Sequence, residues 1–509
     1  MGEEKTFGVL RTLLWPVHRS EMKKVLSMLF LLFLLCIAYS VLRNLKDTIV
    51  LTAKHSGAEA IPFLKVWGML PGAIIATFCY TRLARVFTRE VVFYCIITGF
   101  VAYYLLFAFV IHPHSEQLHL HTLGDWLSLH LPEGCRGLIS LVRNWTFTTF
   151  YVVSELWSTV VLGILFWGFA NDTTGVAEAK RTYGILNIGS NIAPVLGGVA
   201  GLLCGASLSL GSEAQSWSQT LEKTSLMIAC LGFAAMALFY WINRRVLPQK
   251  KEETPSSQEV LPKKKTRISV RDSIRYISKS KYLTCLAILV LGFNISINFT
   301  DILWKEQLKR FFTDPNAMYL HMQKVTMGIG IIGTVGGALF SLMVNRLGWT
   351  FTAILTPMIM TVMAIGFFVF LFFGDALTAL TSAVVGASPL MLTVYFGSLQ
   401  NCLSKAGKYS LFDATKELAF LPLDSDARLQ GKAAIDGLGS SLGKSGSSIT
   451  YQGMLVFLGS LTASTPYICA ILFVVLTAWI SSVFTLGGLF KKASQPREEM
   501  STNPEVVSS

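Results

Sequence analysis

Charge is what this sequence has least of. Asp, Glu, Lys and Arg together make up 14% of its 509 residues, where a soluble globular domain carries about a quarter. That deficit argues against an ordinary water-soluble fold. No two of the nine cysteines have the CxxC spacing, so neither a zinc site nor a disulfide framework is indicated; most of them, Cys36 and Cys285 among them, sit inside apolar runs. No HExxH, Ser-His-Asp or paired-carboxylate arrangement stands out that would support an enzyme. The apolar runs do not alternate with polar residues, which excludes a membrane β-barrel. The start of the chain, Met1–Lys5, is acidic and short of Ser, unlike a cleavable signal or a transit peptide.

What is abundant is apolar sequence. Hydrophobic residues make up 52%, and the mean hydropathy is +0.54. Runs such as Met28–Leu42 and Tyr467–Leu486 approach the roughly 20 residues that cross a bilayer as helix. Only helices and closed barrels satisfy their backbone in lipid, so the expectation is an all-α membrane protein. Spans are expected near 25–42, 61–80, 91–111, 145–168, 183–205 and 225–242, then near 282–302, 324–344, 351–373, 384–402, 433–459 and 464–488. This gives an N-terminal six-helix half (1–246), a basic linker (247–281), a C-terminal six-helix half (282–490) and a disordered tail (491–509). The formal charge of +13 would suggest nucleic acid on a soluble protein. Here Lys and Arg fix topology and touch anionic lipid instead. Most of them fall on the side of both chain ends, which places both termini in the cytoplasm.

The halves read as repeats. Tyr80-Thr-Arg-Leu-Ala-Arg-Val-Phe-Thr88 follows the second span, and Val344-Asn-Arg-Leu-Gly-Trp-Thr-Phe-Thr352 follows the eighth. Arg82 matches Arg346, Leu83 matches Leu347, and Phe87-Thr88 matches Phe351-Thr352. Two six-span halves related by an axis along the membrane normal describe a major-facilitator-like bundle of 12 transmembrane helices, with its site between the halves at mid-membrane.

An ionisable group inside a span costs about 2.5–3.5 kcal/mol at the helix centre and is a functional-site hypothesis by default. Arg43, Lys46 and Asp47 end the first span, and Glu155 lies within the fourth. Asn187 and Asn191 share one face of the fifth. Asp301 and Lys305 end the seventh, and Lys432, Asp436 and Lys444 mark the eleventh. In a major-facilitator arrangement spans 1, 4, 7 and 10 line the cavity and spans 5 and 11 flank it. Salt bridges such as Lys46 with Glu155 are the plain structural alternative, and Arg43 or Lys305 could snorkel to the interface. An excess of cation in a dry cavity invites an anion, and phosphate esters suit Lys and Arg. Gly439-Ser-Ser-Leu-Gly-Lys444-Ser445 looks like a Walker A loop, but it is one residue short and lies in a membrane helix. Its small residues fit close packing or a locally unwound backbone. His112, His114, His119, His121 and His130 read as a solvated loop rather than a metal site.

With these clusters in hand, the chain resembles the non-mitochondrial ATP/ADP translocase family, the nucleotide transporters of obligate intracellular bacteria and plastids. The resemblance runs from about Phe7 to Phe490. It is carried by Leu42-Arg-Asn-Leu-Lys-Asp-Thr48, Gly57-Ala-Glu-Ala-Ile-Pro-Phe-Leu-Lys65, Arg143-Asn-Trp-Thr-Phe147, Glu155-Leu-Trp157, Ser404-Lys-Ala-Gly-Lys-Tyr-Ser-Leu-Phe-Asp413 and Gly443-Lys-Ser-Gly446. It implies that Lys46, Glu155 and Lys444 serve transport and that Asn191 bears on substrate choice. Two departures stand out. The family's Glu in the seventh span is Asp301 here, and its Phe-Gly-x-x-Ala-Asn is Leu186-Asn-Ile-Gly-Ser-Asn191. Both make the chain look like the second chlamydia-type paralogue.

That resemblance implies a secondary active transporter, not an enzyme. It would import ribonucleoside triphosphates (ATP, GTP, CTP, UTP) from a host cytosol by proton symport and alternating access. An ATP/ADP antiporter is the alternative, and a membrane enzyme acting on a phosphorylated lipid is a distant one. Moving ATP with four negative charges into an inside-negative cell is opposed by roughly 9 kcal/mol at 100 mV, so net import needs cations, whereas exchange for ADP moves one net charge. The expected phosphate ligands are Lys46, Lys444 and Arg43. Asn187 and Asn191 would contact base or ribose, and Trp157 or Tyr151 would stack on the base. Glu155, Asp301 and Asp47 would carry protons or gate, Asp301 because its shorter side chain sits farther from any fixed cation. No cofactor, metal or nucleic acid is expected. The partners are nucleoside tri- and diphosphates, protons and membrane lipids, and the setting is a monomer in a bacterial inner membrane.

Overall fold

The computed structural model describes residues 17–18, 21–206, 213–247, 275–384, 386–435 and 442–502. The side chains of Asn187 and Lys444, all of Asp436, and linker residues 248–274 lie outside that description.

The described chain is helical throughout, with no strand. Nine of its helices are long and apolar enough to cross a membrane. One of them, Pro315–Val384, holds 70 residues and would measure about 105 Å if straight, several times the ~30 Å of bilayer hydrocarbon. It bends at Gly348, whose φ of 82° and ψ of 165° belong to a region only glycine occupies without strain. It is therefore two spans, α8 (315–347) and α9 (349–384). The others before the linker are α1 (Met22–Thr52), α2 (Ala60–Val86), α3 (Arg89–Ile111), α4 (Trp145–Thr173), α5 (Val176–Gly205) and α6 (Ser216–Val246). After it come α7 (Lys281–Phe311), α10 (Pro389–Gly407, carried on by Lys408–Phe412 and Asp413–Phe420), α11 (Ser425–Ala434 and, beyond the undescribed residues, Leu442–Gly446 and Ser447–Leu458) and α12 (Leu461–Thr502). With the long helix split, ten spans meet that measure of length and hydropathy; α10 and α11 do not, and they complete the two six-helix halves of the expected bundle. The last helix runs on to Thr502, into the stretch expected to be disordered from 491.

Each half has its own apolar core. One core is built around Leu31, Phe93, Phe150, Trp157 and Phe239, the other around Phe293, Phe367, Phe412 and Trp479. Among the described residues they join at the end where Val50, Ile61, Phe63 and Leu64 of the first half enter the core of the second. Polar contacts cross the halves at that end as well. Gln452 Nε2 donates to the Pro62 carbonyl at 2.8 Å, Lys309 donates to the Ser56 carbonyl, and Asn316 Nδ2 donates to the Gly205 carbonyl at 3.0 Å. Across α5 and α8 the backbones nearly touch, since a Cβ on Gly330 would stand 2.8 Å from the Val195 nitrogen. The bundle is thus sealed at the end where α1 finishes, on the side opposite the chain termini.

The histidine-bearing stretch between α3 and α4 is more ordered than a solvated loop. It folds into helices Ser115–Leu118, His121–His130 and Arg136–Arg143. His119 is buried and bonded to Thr146 Oγ1 at 2.7 Å. Burial lowers its pKa and brings that of His112 down to about 4, so both are neutral at pH 7. Among the described residues no three His, Cys, Asp or Glu could hold a metal.

The bend gives the first prediction. Gly348→Val should cost about 1–3 kcal/mol and lower the thermal unfolding midpoint of the purified protein. Gly337→Ala, whose Cβ would meet nothing within 4 Å, should leave it unchanged.

Candidate functional site

At the sealed end of the bundle, six ionisable side chains from four helices touch in a row of alternating charge. Lys405 on α10 reaches Asp301 on α7 at 2.9 Å, and Asp301 reaches Lys305, one turn along α7, at 2.8 Å. Lys305 crosses to Asp47 on α1 of the other half at 2.8 Å. Asp47 meets Lys46 at 3.1 Å, and Lys46 meets Glu155 on α4 at 3.3 Å. The middle is dry, with Lys46, Asp47 and Lys305 each 4–5% exposed in the side chain. The ends are wetter, Lys405 at 20% and Glu155 at 34%.

A cavity of about 380 Å³ lies on the chain-end side of this row, lined by Lys65, Met69, Tyr151, Glu155, Asn294, Ile297, Asn298, Asp301, Lys405 and Ser445. Its walls come from both halves. Lys65 of α2 donates to Asn298 of α7, and Asn298 donates on to Ser447 at 2.6 Å and Ser448 at 3.2 Å on α11. Four lysines (46, 65, 305, 405) face three carboxylates (47, 155, 301), and Arg43 stands beside Asp47, Lys305 and Lys405 in a smaller pocket. The balance is cationic, which suits an anion.

Local backbone explains the placement. Lys65 lies in a π turn (Leu64–Gly68), and another such turn begins two residues after Glu155 (Trp157–Phe166). A third follows Lys405 (Lys408–Phe412), and Leu442–Gly446 contains Lys444. Wide turns re-aim the side chains of a membrane helix and recur at functional sites.

The expected residues divide clearly. Lys46, Asp47, Glu155 and Asp301 gather in one layer. Tyr151 lines the cavity, with the Lys46 ammonium 3.7 Å from its ring centre. Lys46 itself is capped by Tyr151 and two carboxylates, so it does not open onto the cavity. Arg43 lies off the main cavity, its guanidinium 3.4 Å from Thr326 Oγ1 on α8. Trp157 cannot stack on a base in this state, being fully buried with its Nε1 donating to the Leu35 carbonyl at 3.1 Å. Asn191 is not among the cavity-lining residues. Lys432 pairs at the surface with Glu417 at 2.6 Å. Lys444 is placed only through its neighbour Ser445, which lines the cavity.

Asp301 does not sit apart from fixed cations. Lys305 and Lys405 hold its two oxygens, and Asn401 Nδ2 adds a third donor at 2.7 Å. The cavity-facing lysines 65 and 405, and the carboxamide of Asn298, were not among the expected site residues, although both lysines lie in the quoted motifs. Lys405 falls outside the expected tenth span, 384–402. The helix continues as π turn and α-helix to Phe420, which brings Lys405 into the protein interior.

A two-half helical bundle around a buried cationic cavity defines a membrane solute carrier of the major-facilitator type. The family model described as TLC ATP/ADP transporter matches residues 1–490, and the chain belongs to that family. It is 39% identical over 503 residues to ADP,ATP carrier protein 1 of Chlamydia muridarum, covering 97% of this chain and 94% of that one. It is 36% identical to ADP,ATP carrier protein 2 of Chlamydia pneumoniae, covering 96% and 92%. It is also 36% identical to the chloroplastic ADP,ATP carrier protein 1 of Arabidopsis thaliana, covering 97% and 78%. Identity therefore does not single out the second chlamydial paralogue. A crystal structure of the nucleoside transporter NupG superposes with a TM-score of 0.50 over 92% of this chain and 99% of that one, at 12% identity, a likeness of fold. The chain is a multi-pass membrane nucleotide transporter, not an enzyme.

The charge row makes a stability prediction. Asp301→Asn leaves Lys305 and Lys405 short of a buried carboxylate and should cost about 3–5 kcal/mol, read as a lower unfolding midpoint in detergent. Glu155→Gln, at the wetter end, should lower that midpoint much less.

Proposed function

We propose that this chain exchanges ATP for ADP across a bacterial inner membrane by alternating access, with both chain ends in the cytoplasm and one chain forming the whole pathway. The observation that carries the reading is the unbroken row from Lys405 to Glu155 across both halves.

Lys65 and Lys405 stand at the cavity wall from opposite halves and are the first cations a phosphate chain meets. A phosphate that takes Lys405 from Asp301 leaves that carboxylate leaning on Lys305. Lys305 is then drawn from Asp47, which keeps Lys46. The cross-half ion pair of this row weakens only when a ligand has supplied the missing negative charge. Without ligand, separating Lys305 from Asp47 gives up a buried ion pair and gains nothing in return, because Asp301 is already held by Lys405. The empty carrier is therefore held, and the loaded one is free to rock. That is the behaviour of an exchanger. The names of the relatives, numbered 1 and 2 alike, support the same reading, and exchange moves one net charge against the potential where net import moves four.

Proton-coupled import of several ribonucleoside triphosphates is the second reading, favoured by one observation. Glu155 has a single cation partner at 3.3 Å and a side chain one-third exposed, so it is the acid that solvent protons reach. Asp47 and Asp301, each between two lysines, are poor carriers.

The test is uptake of labelled ATP and GTP into proteoliposomes. Exchange predicts ATP uptake that requires internal ADP, is indifferent to an imposed proton gradient, and falls at least tenfold in Lys65→Ala and Lys405→Ala. Uptake of both nucleotides into empty vesicles, driven by the proton gradient and lost in Glu155→Gln, would replace exchange by symport.

A further inference from the structure

The two halves repeat the sequence after their second span, but not its consequence. Aligning Arg82 with Arg346 and Phe87 with Phe351 sets Ala84 against Gly348 and Arg85 against Trp349. In the second half, the positive φ of Gly348 turns the chain and sends Trp349 inward. Its indole is 6% exposed, stacks on Phe490 of α12 (5.1 Å between ring centres, 22°) and donates to the Thr415 carbonyl of α10 at 3.0 Å. In the first half Ala84 cannot take that turn cheaply. The helix continues to Val86, the chain leaves it only at Phe87 (φ −114°, ψ 154°), and Arg85 is exposed. Among the described residues, the side chain at the aligned position, Arg85, does not fill the place that Trp349 fills in the other half.

What remains there is a cavity of about 170 Å³ between the chain-end extremities of α2, α3, α4 and α6, lined by Tyr80, Phe87, Arg89, Phe93, Phe169 and Phe239 among others. Cavities of about 150 Å³ hold a benzene ring. Gly168 also lines it, and a Cβ there would meet nothing within 4 Å. Arg89 stands at the mouth, half-exposed and paired with an equally exposed Asp172. The rim is basic. Arg82, Arg85, Arg244 and Arg245 are exposed on the adjoining helix ends, against Asp172 and Glu90. The outer surface beside it carries exposed Phe78, Val86, Val91 and Trp241, a lipid-facing belt.

We propose that this cavity is a binding site for one anionic phospholipid of the leaflet on the chain-end side. The phosphate sits on Arg89 in competition with Asp172, and the upper part of an acyl chain enters the aromatic slot. Basic pockets between membrane helices on the cytoplasmic side bind anionic headgroups for the same electrostatic reason. The site lies within one half, away from the charge row, and is independent of which nucleotide is carried.

Native mass spectrometry of the full chain in detergent, offered equal phosphatidylglycerol and phosphatidylcholine, tests this. Wild type should retain one phosphatidylglycerol in preference to phosphatidylcholine. Arg89→Gln should weaken that retention about fivefold, the effect of one cation near an anionic surface. Gly168→Leu, whose Cβ would meet nothing within 4 Å and whose side chain enters the slot, should weaken it similarly, and Asp172→Asn should strengthen it. Equal retention of both lipids, or unchanged retention in both Arg89→Gln and Gly168→Leu, would overturn the site. Displacement of the lipid by equimolar inorganic phosphate or ATP would also overturn it, assigning the pocket to a soluble anion.

Discussion

Six charged side chains form a row whose middle water hardly reaches, so they must satisfy one another, and the rest of the molecule is arranged around that requirement. An isolated ammonium or carboxylate there would cost several kcal/mol, so each is flanked by opposite charge. Lys305 is the member that both halves share. It bonds Asp301 on its own helix and Asp47 on α1 of the other half, each at 2.8 Å. Either carboxylate has a second lysine, Lys405 or Lys46, so Lys305 can leave one of them without leaving it bare. The apolar cores merge and polar contacts cross at this end of the bundle, while the cavity occupies the other side of the row.

A row of this kind suits a substrate that is itself a string of negative charges. Its cationic end, with Asp301 beside it, and its acidic end reach the cavity wall, whereas Lys305, Asp47 and Lys46 do not. A ligand is thus felt in the middle only through the partners it takes from the end. The coupling is one of ion-pair exchange, with no need for a distortion passed through the packed helices, and it differs between an empty and a loaded site by the charge of the ligand.

Much of this was legible before the structure. Charges interrupting apolar runs marked α1, α4 and α7, because lipid tolerates an ionisable group only where the protein needs it. The Lys46–Glu155 contact was foreseen as a salt bridge, and the twelve spans followed from hydropathy. Misjudged helix ends account for the absence of Lys405, since the tenth helix carries on through a π turn that hydropathy does not register. Lys65 enters the sequence reading only as the last residue of a family motif, and the turn at Leu64–Gly68 aims it inward. Trp157 is expected to stack on the base as an aromatic of the fourth span, beside Glu155 in sequence. Two residues along a helix point some 200° apart, which carries its indole into the core behind α1. The opposite fates of Arg85 and Trp349 depend on one alanine-to-glycine difference between repeats, visible in the alignment but without meaning until the bend at Gly348 was seen.

The measurement that bears most directly on the account is efflux of labelled ATP from loaded proteoliposomes into nucleotide-free buffer, comparing wild type with Asp47→Asn. If the Lys305–Asp47 pair holds the empty carrier, wild type retains its ATP until external ADP is added. Asp47→Asn, in which that hold is removed, then leaks ATP without any counter-nucleotide. An Asp47→Asn carrier that still exchanges ATP for ADP, yet is as tight as wild type in nucleotide-free buffer, would contradict the account.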